Sequence, residues 1–252
     1  INTNPKNFIS QNPNFSISAL NQYTPHDFIE LSKKHNIAYH EKTLGQLFCD
    51  HKSQLIIDML LSECNQANVK IKKSFVVDKV EKVNDDYIVI NNNDKYFSKS
   101  LVIATGGLSI PKIGATDFGY KIASQFNLNI VETQPALVPL TFTDEILSLC
   151  NELSGLSLNA NISQGNISFE EGMLFTHRGL SGPSILQISS YWSQGDSINI
   201  NLCPRDNLGE ILQDKKNNKP KQNIISILCE FLPNRLAMIM CDKNTLTGSI
   251  TN

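Results

Sequence analysis

The sequence predicts an α/β fold, because three patterns occur together in its 252 residues. Helical and strand-like segments alternate over about the first 140 residues. Five residues suited to a buried strand, 101–105, run directly into Gly106 and Gly107, which is typical of a parallel strand buried on both faces. After Pro139, several short strand-like runs are separated by Gly or Asn turns. We therefore expect a partly doubly wound sheet followed by a second, mainly β part.

Two amphipathic helices are predicted before residue 70. Thr24 can cap the first helix, with Pro25 at its first position and Asp27 at its third, and Asn36 ends it. Ser53 is the predicted cap of the second helix. That helix covers 55–67 and carries an apolar stripe at helical spacing: Ile56, Ile57, Leu60, Leu61 and Cys64.

Short strands joined by tight turns follow these helices. The predicted strands cover 69–72, 75–83, 87–90 and 96–97, and Asn- and Asp-rich turns separate the later ones. This pattern suits a three-stranded antiparallel crossover packed on a Rossmann sheet. Beyond the glycine pair, an amphipathic helix is expected, with Thr116 or Asp117 as its cap.

The second part mixes short strands and helices. Strands are predicted over 141–142, 157–162, 166–169 and 197–202, and a helix over 183–190. The Lys- and Asn-rich residues 207–223 predict a surface helix and loop, and 224–240 predicts two short helices divided by Pro233.

Composition excludes several classes of protein. The chain is 40% hydrophobic and 18% charged with a net charge of −2, and without clustered Lys or Arg we expect no nucleic-acid partner. No apolar stretch approaches the roughly 20 residues that span a bilayer, so we expect no membrane partner.

The six cysteines form no C-x-x-C pair, which indicates neither a metal site nor a redox dithiol and favours a cytoplasmic setting. Nor do the histidines show metal-ligand spacing: His26, His35, His40 and His51.

Five blocks of this sequence resemble blocks of one known family and occur in the same order along the chain. They are NFISQNPNF (7–15), EKTLGQLFCD (41–50), ATGGLSIPKIGATDFGYKIA (104–123), PALVPL (135–140) and LFTHRGLSGPSILQISSYW (174–192). Together they resemble the BaiN/YhiN-type bacterial FAD-dependent oxidoreductases, which are two-dinucleotide-binding-domain flavoproteins. The resemblance covers residues 5 to about 235.

The resemblance implies a domain organisation. The family opens with a strand–GxGxxG–helix unit and closes with a Gly-rich flavin-contacting segment, and neither pattern occurs in this sequence. We therefore expect a central fragment, with a partial FAD-binding Rossmann-like domain over 1–140 and an inserted substrate domain over 141–252. Within the latter, a small β-barrel is expected over about 141–205 and a truncated helical part over about 206–252.

The same resemblance implies cofactor-binding residues. Four small residues would line FAD because missing side chains let the backbone approach a ligand: Ala104, Thr105, Gly106 and Gly107. The backbone of Val77 would pair with adenine, Gln46 could hydrogen-bond the cofactor or substrate, and Phe48 could pack near the flavin ring. The alternatives remain a plain turn at the glycine pair and core positions for the other three residues.

One cluster of reactive side chains is a candidate for catalysis or substrate binding. His177 could shuttle a proton and Arg178 could bind an anionic group, or both could simply tie loops together. Pro183 marks a helix start with Ser181 or Gly182 as cap. The string is not the hydrolase elbow G-x-S-x-G, which needs glycine where Pro183 stands. The catalytic residues otherwise remain unassigned.

The resemblance implies an oxidoreductase that transfers hydride or electrons between an organic small molecule and flavin. NAD(P)H could be its reductant, although no second nucleotide fingerprint occurs. The alternative is a non-catalytic fragment or interaction module that does not hold FAD by itself. Losing two or three charge-assisted hydrogen bonds, at about 1.5–3 kcal/mol each, would weaken FAD binding by several powers of ten. We also expect self-association through exposed apolar faces.

Overall fold

The computed structural model describes residues 3–42, 45–92 and 94–250. Both helices and strands occur in each half of the chain, and every strand pair among these residues is antiparallel. The predicted α/β fold is therefore confirmed. Among the same residues, no helix is both long and apolar enough to cross a membrane.

The chain forms two compact units. The first comprises Ile1–Leu108 and Gly114–Leu128, and the second comprises Ser109–Ile113 and Asn129–Asn252. The expected functional boundary near residue 140 stays a prediction.

Four helices belong to the first unit: α1 (Ile17–Gln22), α2 (Pro25–Lys34), α3 (Gln54–Gln66) and α4 (Phe118–Gln125). The predicted start of α2 is confirmed by a capping box, in which Thr24 Oγ1 accepts from the Asp27 N–H at 3.3 Å and Asp27 Oδ2 accepts from the Thr24 N–H at 2.7 Å. Asn36, at φ +54°, ends the helical segment as expected. Ser53 precedes α3 but makes no capping hydrogen bond.

The first unit contains a hairpin and a three-stranded sheet. The hairpin pairs β1 (Tyr39–Glu41) with β2 (Leu47–Cys49). The sheet pairs β3 (Lys79–Val83), β4 (Asp86–Asn91) and β5 (Asp94–Ser98) in sequence order, which confirms the predicted antiparallel crossover.

Two predictions about these strands were wrong. Residues 69–72 form no strand, and β3 begins at Lys79 and not at Phe75. Both segments have strand-like composition, but a strand forms only where a neighbouring strand satisfies its backbone groups.

The predicted buried strand over 101–105 is also absent. Val102 is 82% exposed, and no hydrogen bond joins the backbone of residues 101–107 to another described residue. An apolar run becomes a buried parallel strand only between paired neighbours, and none of the described strands lies beside it.

A five-stranded antiparallel sheet organises the second unit. Its strands are β6 (Leu140–Thr141), β7 (Ser157–Gln164), β8 (Ile167–Thr176), β9 (Gly179–Ser181) and β10 (Asn199–Asn201). Their order is β10-β7-β8-β9-β6. Where a small β-barrel was expected, the described residues show no ladder between the edge strands β10 and β6.

Helices cover this sheet and share its core. They are α5 (Asp144–Glu152), α6 (Pro183–Ile188), α7 (Leu208–Asn218), α8 (Ile224–Leu228) and α9 (Asn234–Lys243). The core joins α5, α6 and α9 to the long strands through fully buried side chains such as Leu153, Ile162 and Ile185. Pro233 divides α8 from α9, as predicted. All six cysteines carry free thiols.

Candidate functional site

The glycine pair lies against the start of α4. A Cβ added at Gly119 would lie 3.2 Å from Thr105 Oγ1 and 3.5 Å from Ile103 Cγ2, and one added at Gly107 would lie 3.3 Å from the Tyr120 hydroxyl. Absent side chains therefore let the helix approach this segment closely. We call residues 104–107 together with Gly119 the glycine corner.

The glycine corner opens onto free space. Gly106 has φ +73°, in the left-handed region that favours glycine, and a Cβ added there would meet no atom within 4 Å. Ala104 and Thr105 are exposed, and the N–H and C=O groups of residues 101–107 have no hydrogen-bond partner among the described residues. The corner can therefore offer unpaired backbone donors to a ligand.

The expected helix cap beside the corner is formed only in part. Asp117 is the cap residue of α4 but makes no capping hydrogen bond, whereas Thr116 Oγ1 accepts from the Phe118 N–H at 3.4 Å. Asp117 instead pairs with Lys121 at 2.9 Å.

Val77 is half-buried directly before β3. Its neighbours are held in place, since the Val76 carbonyl accepts from Asn91 Nδ2 and the Asp78 N–H donates to the Ile90 carbonyl at 2.9 Å. The backbone of Val77 itself makes no hydrogen bond to another described residue. Its groups are thus free for the predicted contact with adenine, which stays a prediction.

The hairpin β1–β2 carries an exposed aromatic ring. Phe48 is 42% exposed, so it is not a core residue. Its ring stacks on His40, with centroids 6.3 Å apart, and Lys42 Nζ lies 4.0 Å from its centroid. Gln46 has an exposed side chain, and its carbonyl accepts from the Lys42 N–H at 2.7 Å. Residues 43–44 of the same block lie outside the described residues.

Reasoning from sequence missed a pair of side chains beside this ring, His40 and Asp50. His40 Nδ1 and Asp50 Oδ1 lie 2.7 Å apart. Both residues are near the hairpin, but only the β1–β2 register, which pairs His40 with Phe48, places the imidazole on the aromatic ring. The sequence offered no signal for that register.

His177 and Arg178 form the two-residue turn between β8 and β9. The turn is held by Thr176 Oγ1, which donates to the Gly179 carbonyl at 3.0 Å and accepts from the Arg178 N–H at 3.3 Å. Neither side chain makes a hydrogen bond or ion pair within the described ranges, and both are exposed. They do not tie loops together through their side chains, and their predicted roles stay predictions.

The glycines after this turn allow close packing of strands. A Cβ at Gly179 would lie 2.1 Å from the Leu140 carbonyl oxygen, and one at Gly182 would lie 2.6 Å from the Gly172 carbonyl oxygen. Gly182, not Ser181, is the cap residue of α6. This part of the block is therefore explained by the fold.

The family description "HI0933-like protein Rossmann domain" matches residues 2–247. The chain belongs to this HI0933-like family. The match confirms the Rossmann-like assignment that the glycine segment first indicated.

Two curated relatives are similar to most of this HI0933-like chain. The ribosomal RNA dihydrouridine synthase of Escherichia coli (strain K12) is 46% identical over 233 residues, which cover 92% of this chain and 58% of the relative. The enzyme of the same name from Haemophilus influenzae (strain ATCC 51907 / DSM 11121 / KW20 / Rd) is 41% identical over 253 residues, covering 98% and 62%. The chain spans about three fifths of the length of these relatives. Their names support the broader family and not its BaiN branch.

The HI0933-like chain thus brings some predicted site residues together and leaves others apart. Residues 104–107 form one corner with Gly119, which reasoning from sequence did not single out for this role. His177 and Arg178 belong to the second unit, and neither side chain forms an ion pair with a described residue. Within the described ranges, no group of three or more His, Cys, Asp or Glu side chains could hold a metal ion.

Proposed function

We propose that this chain contributes the glycine corner to the FAD site of an oxidoreductase. The supporting observation is the open corner itself, where residues without bulky side chains carry backbone groups that no described residue pairs. Membership of a Rossmann-domain family adds to this, because open α/β folds of that kind bind dinucleotides in a crevice beside the sheet.

The residues present fit this cofactor. Gly106 leaves room for a bulky ligand against the backbone, and the free backbone of Val77 can pair with an adenine ring. The exposed Phe48 ring and the Gln46 amide are available for the flavin end. When bound, FAD would accept and deliver hydride, while the role of these residues is to hold it in position.

We further propose that the chain binds FAD weakly when produced alone. No GxGxxG segment is present to place a pyrophosphate on a helix N-terminus. Without those donors, the expected loss is several powers of ten in affinity.

The visible spectrum after purification tests both statements. This chain should be colourless, and the complete Escherichia coli relative, purified in parallel, should be yellow with flavin bands. Stoichiometric flavin in this chain would contradict weak binding. A complete relative without flavin, even after incubation with FAD, would overturn the proposed cofactor.

The substrate has two candidates. A small organic molecule with no nucleic-acid partner is the expectation from the net charge of −2. A uridine base in ribosomal RNA is favoured by the names of the two relatives, at 46% and 41% identity. Reduction of the uracil C5–C6 double bond adds one hydride and one proton. We propose NAD(P)H as the hydride source, His177 as a candidate proton donor, and Arg178 as a candidate contact for a phosphate.

Ribosomal RNA from cells without the gene distinguishes these candidates. If uridine is the substrate, one nucleoside in that RNA should lose two hydrogen atoms by mass, and the complete gene should restore them. A complete gene carrying His177→Gln should restore less than one carrying His51→Gln, which changes an exposed histidine outside the turn. Unchanged ribosomal RNA would leave the small-molecule substrate as the proposal.

A further inference from the structure

An apolar cavity of about 840 Å³ lies within the second unit. Its walls come from strands β6 and β8, helices α5 and α9 and the segment after α6, and they include Leu149, Cys150, Met173, Phe175, Trp192 and Leu236. Cavities of roughly 300–1,000 Å³ are the usual size for small-molecule sites. The space is thus sufficient for a whole small molecule.

The cavity has no positive charge to bind an anion. Among the described residues that line it there is no Lys, Arg or His. Its one carboxylate, Asp196, is already engaged, since Oδ2 accepts from Gln164 Nε2 at 2.6 Å and from the Ser193 N–H at 2.9 Å. Burial raises the pKa of the Cys150 thiol, so this wall residue is uncharged at neutral pH.

The free polar groups of the cavity are neutral and lie mainly at one turn. Trp192 Nε1 donates to the Asp196 carbonyl at 2.8 Å, which fixes the indole in the lining. The side chains of Gln194 and Ser197 also line the space and make no hydrogen bond to another described residue. An amide and a hydroxyl can therefore pair with an uncharged polar group of a ligand.

We propose that this cavity binds an uncharged, largely apolar small molecule. Its apolar body would lie among the aliphatic and aromatic walls, and its hydrogen-bonding group would meet Gln194 and Ser197. Ligands that carry a phosphate or carboxylate are disfavoured, because the lining would strip their charge of water without pairing it. The site uses no residue of the glycine corner and goes beyond the proposed function.

The single tryptophan makes this proposal directly measurable. Trp192 is the only tryptophan in the sequence and lines the cavity. The full chain is titrated with uncharged N-phenyl-1-naphthylamine and, separately, with its sulfonated analogue 8-anilino-1-naphthalenesulfonate. We expect one saturable site for the neutral dye, with quenching of Trp192 emission, and binding of the sulfonate at least about tenfold weaker.

Two matched variants test whether the dyes bind in this cavity. Ser197→Lys puts a cation in the cavity lining, whereas Ser168→Lys puts one on the exposed face of β8 outside it. Ser197→Lys should strengthen binding of the sulfonate by about tenfold, and Ser168→Lys should leave both dyes unchanged. Circular dichroism checks that each variant is folded. Failure of the neutral dye to saturate one site, equal binding of the two dyes, or the same response in both variants would overturn the proposal. None of these outcomes depends on flavin binding.

Discussion

Gln125 Nε2, in the last turn of α4, donates to the main-chain carbonyl of Val80 in β3 at 2.6 Å. The bond joins the helix that packs on the glycine corner to the edge of the three-stranded sheet, 45 residues away in sequence. Tyr87 and Phe126 reinforce the contact edge to face, with centroids 6.0 Å apart. The position of α4, and with it of Gly119, thus depends on a side chain far from the corner.

Gln125→Ala should lower the free energy of unfolding of the first unit by about 1 kcal/mol, because the Val80 carbonyl loses its partner. Gln66→Ala is the matched control, since Gln66 Nε2 donates only to Ser62 Oγ within α3, and it should change stability by less than about 0.5 kcal/mol. Urea titration followed by far-ultraviolet circular dichroism measures both. Equal effects of the two variants would show that the link to β3 does not stabilise the unit.

Gly179→Ala and Gly182→Ala should each destabilise the second unit by about 3 kcal/mol or more. The added Cβ atoms would lie 2.1 Å and 2.6 Å from backbone carbonyl oxygens, which cannot move aside as a flexible side chain can. Gly155→Ala separates the cost of this steric clash from the cost of placing alanine at a positive φ. Its φ is +84° with open space around it, so it should cost only about 1–2 kcal/mol.

Trp192 fluorescence during urea unfolding reports these changes, because the only tryptophan lies in the second unit. Gly209→Ala provides a control of opposite sign. Gly209 lies in α7 without a positive φ, and alanine there should be neutral or stabilising. Unfolding midpoints for Gly179→Ala close to that of Gly155→Ala would contradict the close packing of β9 on β6.

Glu230 should make the stability of the second unit dependent on pH in the acid range. A hydrogen bond from Lys215, with smaller contributions from Gln222 and nearby lysine charges, lowers the pKa of the Glu230 carboxyl below its ordinary value. A carboxyl with a depressed folded-state pKa stabilises the fold above its unfolded-state pKa. That contribution is lost as the pH falls through the folded-state value.

Glu230→Gln should therefore lower the urea midpoint of unfolding at neutral pH. The difference between this variant and the unchanged protein should shrink near pH 3, which is about one unit below the ordinary glutamate pKa. Glu132→Gln is the control, because Glu132 makes no ion pair among the described residues. A difference between Glu230→Gln and the unchanged protein that is the same at both pH values would contradict an ionic contribution.

The chain should self-associate through the unpaired segment 101–107. Exposed apolar side chains such as Val102 lie beside backbone groups that lack partners among the described residues, a combination that invites pairing between copies. Val102→Asp should shift the protein toward the monomer, whereas Ser124→Asp, which adds the same charge on the exposed surface of α4, should not. Light scattering over a range of concentrations measures this. A monomer at every concentration for the unchanged chain would count against the expectation.

Much of the fold was predictable from short-range patterns. The capping box at Thr24, the turn at Asn84, and the break between α8 and α9 at Pro233 each depend on a few neighbouring residues. The same holds for the start of α6 at Pro183. Helix α5 was not predicted, and its first residue, Asp144, has φ +54°, in the left-handed region.

The candidate site was predictable in residue type more than in arrangement. The glycines at 106–107 could be recognised from the neighbouring sequence, and the open space at Gly106 agrees with that prediction. The contact of Gly119 with Thr105, and the stacking of His40 on Phe48, could not be foreseen, because each depends on how separate segments approach.

Local chemistry in the amino-acid sequence determined where helices begin and where turns fall, because caps, turn residues and apolar periodicity act over a few positions. The sequence also determined which family the chain belongs to, through blocks of residues that occur in the family's order. Tertiary structure alone decided that residues 101–105 pair with no described strand and that the second unit forms a cavity whose described lining carries no Lys, Arg or His. Strand pairing and cavity walls are contributed by residues far apart in the chain, so no local pattern can specify them.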